Sequence, residues 1–357
     1  MISLIRSYGW SDALQRDFAP HAAHGLIPGR VIVQHRGSYG LISDLGELTG
    51  QISGRLAHDA PETGFPAVGD WVALAARPEE DAATIRAVLP RRTAFVRKSA
   101  MIQTPQVVGA NVDVALLAAS LNADFSARRL ERYLAVAWQS GAQPVIVLTK
   151  ADLAQDVEAM AAEAEAVAFG VPVIVVSAVT GQGLDAVAEQ LKAGETAVIV
   201  GSSGVGKSTL VNALAGEVLM AVSDIREHDE TGRHTTTHRE LLLLPSGALI
   251  LDTPGMRELG LWEADQGLSN TFEDIATLAA GCRFRDCGHE SEPGCAVREA
   301  LETGVLEAGR WRSYQKLQRE QAHFERREDP VAREANRRHW IAINKSVRRY
   351  KKLKGKD

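Results

Sequence analysis

The chain is poor in cysteine and has no long apolar run. Its three cysteines all lie between positions 282 and 295 of 357 residues. That clustering argues against a disulfide framework and favours a metal site. No apolar run approaches the roughly 20 residues that a membrane-spanning helix needs. The opening stretch, MISLIRSYGWSDALQRDF, lacks the apolar core of a signal peptide. A cytoplasmic location with no membrane partner is therefore expected. Internal repeats and long low-complexity segments are absent as well. What is present is an ordinary globular composition, 45% apolar and 24% charged, on a chain long enough for two or three domains.

The net charge of −5 conceals an asymmetry. From Arg326 to Asp357 there are 12 Lys/Arg and 4 Asp/Glu, a net +8, which leaves −13 on the rest. A basic tail on an acidic body suits a polyanionic partner such as nucleic acid, although a solvated charged helix explains the count equally well. Residues 310–357 mix Arg and Lys with Trp311, Tyr314, Phe324, Trp340 and Tyr350 at helical spacing. Such a mixture suits phosphate contacts plus base stacking. Trp311 and Trp340 are expected to pack. Arg337, Arg338, Lys345, Arg348, Arg349, Lys351, Lys352 and Lys354 are expected to face out. Arg91, Arg92, Arg97 and Lys98 form a second basic cluster.

Residues 1–25 read as a mobile leader. Five short alternating runs follow, beginning at Arg30, Tyr39, Gln51, Asp70 and Thr84, with Gly and Pro between them. They predict a small barrel, with an oligonucleotide-binding (OB) barrel as the leading candidate. From about residue 107 near-continuous apolar runs alternate with helical stretches such as 126–141 and 156–170. This is the signature of a largely parallel, doubly wound sheet. Beyond 265 the chain reads as helical and polar.

The strongest motif is Gly201-Ser202-Ser203-Gly204-Val205-Gly206-Lys207-Ser208, between the strand AVIV and the helical TLVNALAG. It matches G-x-x-x-x-G-K-[ST] in the required strand–loop–helix context. The glycines let successive N–H groups point at phosphate oxygens, and the helix N-terminus adds partial positive charge. Lys207 is expected to reach the β- and γ-phosphates and Ser208 to ligate Mg²⁺, with Thr209 next in the loop.

Thr149-Lys150-Ala151-Asp152 ends the apolar strand PVIVL and resembles the [NT]-K-x-D base motif of GTPases. Asp152 would accept from the two adjacent donors of guanine, a pair that adenine does not offer. Lys150 would lie over the base. Ser177-Ala178, at another strand end, fits the second base motif. Thr149 stands where Asn is commoner, which predicts a weaker tie to the phosphate loop. The base motif argues against a P-loop kinase or ATPase of small molecules.

Asp252-Thr253-Pro254-Gly255 follows the strand ALIL. Asp252 would hold the magnesium shell and the Gly255 N–H would sense the γ-phosphate. The polar stretch 229–240 occupies the place of switch I, and among Thr235 to Thr237 the favoured Mg²⁺ ligand is Thr236. Met256 stands where many GTPases carry the Gln that orients water. His234 is the candidate replacement, with His228 and His238 behind it. Slow intrinsic hydrolysis is expected.

The base motifs precede the phosphate loop and switches, so the GTPase is circularly permuted. This is permissible because domain termini commonly lie close together. Cys282, Cys287, His289 and Cys295 read C-x4-C-x-H-x5-C, a closed set of ligands for one structural Zn²⁺.

With PAVGDWV (66–72), TKAD, GSSGVGKST, GRHTTT, DTPGMRELGL and this cluster in one order, the chain resembles the ribosome small-subunit-dependent GTPase A family of bacteria. The resemblance covers nearly the whole chain. It implies a leader (1–28), an all-β OB domain (29–98), a permuted α/β P-loop GTPase domain (99–264) and a mostly α zinc domain with a basic tail (265–357). It further implies GTP/GDP, Mg²⁺ and one Zn²⁺ as ligands. The implied role is late maturation of the 30S subunit through 16S rRNA, with GTPase activity that the subunit stimulates. A monomer is expected, with other assembly factors as further partners. The family's proposed substitute for the missing Gln is a switch I histidine, which corresponds to His234.

Overall fold

The computed structural model describes residues 3–59, 64–98, 105–220, 239–252 and 265–328. They form two compact units, the first holding the described residues up to 252 with 265–273, the second 274–328.

The first unit opens with helices α1 (Leu4–Ser7) and α2 (Asp12–Ala22). The leader was expected to be mobile, and here the structure differs. Ile5, Trp10, Leu14 and Phe18 are buried against Trp71, Ala73 and Leu89. The Trp10 ring meets Trp71 edge-on at 4.9 Å. Ser11 caps α2 by accepting from the Leu14 N–H at 3.3 Å. Burial of these four large apolar side chains, at roughly 1.5–3 kcal/mol each, is what ties the segment to the barrel.

Next come β1 (Ile27–Gln34), β2 (Tyr39–Ser43), β3 (Gly46–Ile52), α3 (Gly54–Asp59), β4 (Trp71–Arg77) and β5 (Ala82–Val88). The strands pair in the order β1-β2-β3-β5-β4 and close through β1–β4. All pairings are antiparallel except β3–β5. The expected small barrel is therefore present, and it is five-stranded and closed.

The antiparallel pair β6 (Ala94–Lys98) and β7 (Pro105–Ala110) leads into β8 (Val114–Ser120), α4 (Ala127–Ser140), β9 (Gln143–Thr149), α5 (Val157–Ala168), β10 (Val173–Val175), α6 (Leu184–Ala188), β11 (Thr196–Val200), α7 (Lys207–Ala215), β12 (Arg239–Leu243) and β13 (Leu249–Asp252). The strand order is β10-β9-β8-β11-β13-β12, parallel except for β12. Helix α5 starts where expected because Asp156 accepts from the Ala159 N–H at 2.9 Å. Alternating apolar faces of the strands meet Leu210 and Val211 of α7 and Val187 of α6 in one core.

Strand β12 also pairs antiparallel with β1 of the barrel, Val33 opposite Glu240 and Gln34 opposite Arg239, so barrel and α/β sheet are hydrogen-bonded into one. Arg30 locks this junction. Only 2% exposed, its guanidinium donates to the carbonyls of Tyr8, Gly69 and Asn111 and to Thr196 Oγ1 at 2.8 Å. It stacks on Trp71 at 5.2 Å. Burial pulls its pKa down to about 10.

Two residues of the expected basic cluster at this junction face carboxylates. Arg91 forms a two-pronged pair with the fully buried Asp70 at 2.6 and 2.8 Å, and Arg92 lies 3.4 Å from Asp113. Asp70 had to be paired to be buried, and Arg91 is the partner in reach. Helix α8 (Asp265–Thr271) was grouped by sequence with the C-terminal part. Instead it packs on α4, where the Gly267 N–H donates to Gln139 Oε1 at 3.2 Å. A side chain at Gly267 would strike the Ala135 carbonyl, so the small residue permits the close approach.

The second unit contains α9 (Glu273–Ala280), α10 (Ala296–Thr303) and α11 (Ala308–Glu328), with the cysteine loop between α9 and α10. Arg310 on α11 clasps Asp274 on α9 through two bonds of 2.7 Å. None of the described helices is long and apolar enough to cross a membrane.

Candidate nucleotide site and metal centre

The glycine-rich loop 201–206 leaves β11 and enters α7. Gly204 and Gly206 have φ of +70° and +99°, which side chains strongly disfavour. At Gly201 an added Cβ would lie 2.7 Å from the Ala118 carbonyl, so glycine is what lets the loop pass over β8. Val205 is buried and anchors the loop, while Ser203 and Gly204 are exposed at its tip. The Lys207 ammonium curls back over the loop, donating to the carbonyls of Gly201 at 2.9 Å and Ser202 at 2.7 Å. Ser208 and Thr209 follow in the first turn of α7, where unpaired N–H groups and the helix dipole favour an anion.

Strand β8 lies between β11 and β9. The loops at the carboxyl ends of these strands therefore share one rim, the usual ligand position in an open α/β sheet. Thr149, at the end of β9, is buried and donates from Oγ1 to the Val205 carbonyl at 2.6 Å. The tie between base loop and phosphate loop, expected to be weak with Thr in place of Asn, is thus short and direct. Lys150 takes a left-handed conformation, φ +62°, and turns the chain sharply into the 151–153 turn.

Asp152 is exposed and its Oδ1 accepts from Ser177 Oγ at 2.6 Å. Ser177 Oγ in turn accepts from the Thr180 N–H at 3.2 Å. Asp152 and the Ser177-Ala178 turn are thereby held together, with the aspartate orientation fixed before any ligand arrives.

Asp252 ends β13, next to β11. Burial pushes its carboxyl above the usual range, and the Lys207 ammonium opposes this. The loop, Lys207, the base pair of motifs and Asp252 therefore converge on one rim. His234, Thr236 and Gly255 lie outside the described residues, as do His228, His238, Met256, Trp340 and the basic tail beyond 328.

In the second unit, the ligand atoms of Cys282, Cys287, His289 and Cys295 all lie within 4.8 Å of one another. Cys282 Sγ is 3.9 Å from Cys295 Sγ, and His289 Nδ1 is 3.5 and 3.4 Å from those two sulfurs. A tetrahedral ion with metal–sulfur bonds of about 2.3 Å needs sulfurs about 3.8 Å apart, so the cluster fits one. His289 adopts φ +60°, and Trp311, as expected, packs edge-on against its ring at 5.7 Å.

Sequence reading missed the turn after β8. Asp124 there contacts the phosphate loop, with Ser202 Oγ donating to Asp124 Oδ2 at 3.2 Å. The position of β8 between the two motif strands was the available signal.

Against known proteins, the family model described as RsgA GTPase matches residues 88–262. The chain is 47% identical to the small ribosomal subunit biogenesis GTPase RsgA of Opitutus terrae, over 99% of both chains. It is 49% identical to RsgA 2 of Lactiplantibacillus plantarum, over 90% of both. Among solved structures, YjeQ from Thermotoga maritima superposes with a TM-score of 0.62 at 27% identity, covering 82% of this chain and 97% of that one. YloQ, described as a circularly permuted GTPase, gives 0.59 at 27% identity, covering 86% and 97%. Matched along nearly its whole length, and with its base loops preceding its phosphate loop, the chain belongs to the RsgA family of circularly permuted GTPases.

Proposed function

We propose that this protein binds GTP with Mg²⁺ on the rim described above, hydrolyses it, and acts in late maturation of the small ribosomal subunit by binding 16S rRNA. The observation that carries the reading is the convergence of Thr149, Asp152 and Ser177 with loop 201–208, made by the 2.6 Å bonds Thr149–Val205 and Ser177–Asp152. A site for a guanine nucleotide needs base loop and phosphate loop at fixed separation. Asp152 selects guanine, and Lys150 covers the base. Backbone N–H groups of Gly201 to Gly206 cradle the phosphates, which Lys207 reaches on exchanging its carbonyl partners for phosphate oxygens. Bound Mg²⁺ would neutralise phosphate charge as the terminal bond breaks. Ser208, Thr236 and Asp252 would hold it. The Gly255 N–H registers the γ-phosphate, and His234 positions the attacking water in place of the residue that Met256 replaces.

The second unit takes one structural Zn²⁺ on Cys282, Cys287, His289 and Cys295, with no ligand position left for water. The N-terminal domain that holds the barrel and the basic tail are the RNA-binding elements. The chain runs from switch II through α8 into the zinc-binding part, so the γ-phosphate state is passed to the rRNA-binding part. The protein works as a monomer in the cytoplasm. Co-sedimentation with 30S subunits in the presence of a non-hydrolysable GTP analogue, GDP or no nucleotide tests this. Retention on 30S with the analogue and release with GDP is expected. Equal retention in all three states contradicts the switch.

A further inference from the structure

The turn between β8 and α4 stands on the nucleotide rim, between the phosphate loop and the base loop. It is held from within by Asn122, whose Oδ1 accepts from Ser120 Oγ at 2.9 Å and from the Asp124 N–H at 3.0 Å. Leu121 N–H donates to the Thr149 carbonyl at 2.9 Å, joining the turn to the base loop. Asp124 then presents its carboxylate to three groups. Arg129 Nη1 and Nη2 grip it at 2.7 and 3.0 Å. Ser202 Oγ donates to it at 3.2 Å. The Lys150 ammonium acts on it through space and, after the stronger Arg129 bonds, helps hold it below the usual carboxylate range.

We propose that Asp124, neutralised by Arg129, is a positioning residue of the nucleotide site that fixes the phosphate loop through Ser202. Two features of the site support this. Lys207 donates to the Ser202 carbonyl at 2.7 Å, a bond it would give up on moving to a phosphate. With nucleotide bound, the Asp124 bond to the Ser202 hydroxyl remains to keep that residue in place. A bare carboxylate beside a triphosphate would repel it, and the two-pronged Arg129 pair cancels that charge while leaving an oxygen to accept from Ser202. The inference rests on reading 201–208 as the nucleotide loop.

The test is binding of fluorescent GDP and GTP to the full-length protein, with thermal unfolding measured alongside. Asp124→Ala is expected to weaken both nucleotides about three- to tenfold, the range for a bond to a partly exposed carboxylate. Asp124→Asn keeps an acceptor for Ser202 and falls between that variant and the unsubstituted protein. Arg129→Ala exposes the carboxylate and is the weakest binder, and the double variant recovers affinity relative to it. Salt narrows the Arg129→Ala deficit. A purely structural turn would lower the melting temperature and leave affinity unchanged, which overturns the proposal. Equal binding by Arg129→Ala and the double variant overturns the charge argument. If the unsubstituted protein binds neither nucleotide, the nucleotide reading itself falls. If it binds and Asp124→Ala matches it, the positioning role alone falls.

Discussion

Replacing Thr149 with Val keeps the shape of a buried side chain and deletes one hydroxyl. In the structure that hydroxyl donates to the Val205 carbonyl at 2.6 Å, within the phosphate loop and 56 residues away along the chain. The loss weakens the link that sets the distance between guanine and phosphate contacts. Stripping the donor from a buried carbonyl costs about 1–3 kcal/mol. Part of that falls on stability, and about 1–2 kcal/mol on nucleotide affinity, or about 5- to 30-fold in Kd. Thr149→Ser keeps the donor and should stay within about threefold, since less than 1 kcal/mol of packing is at stake. Thr149→Asn offers an amide donor to the same carbonyl and should also bind. Titration of fluorescent GDP against the three variants is the assay. If Thr149→Val binds as tightly as the unsubstituted protein, the bond is not what aligns the two loops.

Asp252 gives a pH prediction with a definite sign. Its folded-state pKa is raised, chiefly by burial. The folded protein therefore binds this proton more tightly than the unfolded chain, and the stability from this group is full below the unfolded pKa and lost as pH rises through the folded one. At neutral pH the ionised carboxylate is a burden in the ligand-free state, so Asp252→Asn should raise the apo melting temperature while weakening Mg²⁺-dependent GTP binding. A lowered apo melting temperature would contradict this. Arg91→Ala strands the fully buried Asp70 carboxylate. It should cost about 3–5 kcal/mol in urea unfolding of the first unit, and a loss below 1 kcal/mol would refute the pairing argument. Metal analysis of the purified protein should give one zinc per chain, and Cys287→Ser should lose it together with the helical signal of the second unit. Full helicity without metal would show that the small core there suffices.

What the sequence made legible was whatever carries period or motif. The barrel strands alternated, the parallel strands were continuous apolar runs, and the phosphate loop, base motif and cysteine cluster each had diagnostic spacing. What it concealed were contacts made by single residues across long separations. Arg30 entered only as the start of an alternating run, yet it is buried because carbonyls of Tyr8, Gly69 and Asn111 converge on it. Arg91 read as part of a basic patch, and only the fold brings Asp70 beneath it. The leader was misread although Trp10, Leu14 and Phe18 stand four apart, a helical period that the polar residues between them obscure. Asp124 carries no motif, and its place on the rim follows from strand order alone.

The central claim is that this GTPase answers to the small ribosomal subunit. GTP turnover of the full-length protein, alone and with 30S or 50S subunits, tests it most directly. Slow turnover alone, strong stimulation by 30S subunits and none by 50S subunits is the predicted result. Turnover that 30S subunits leave unchanged, with GTP still bound, would contradict it.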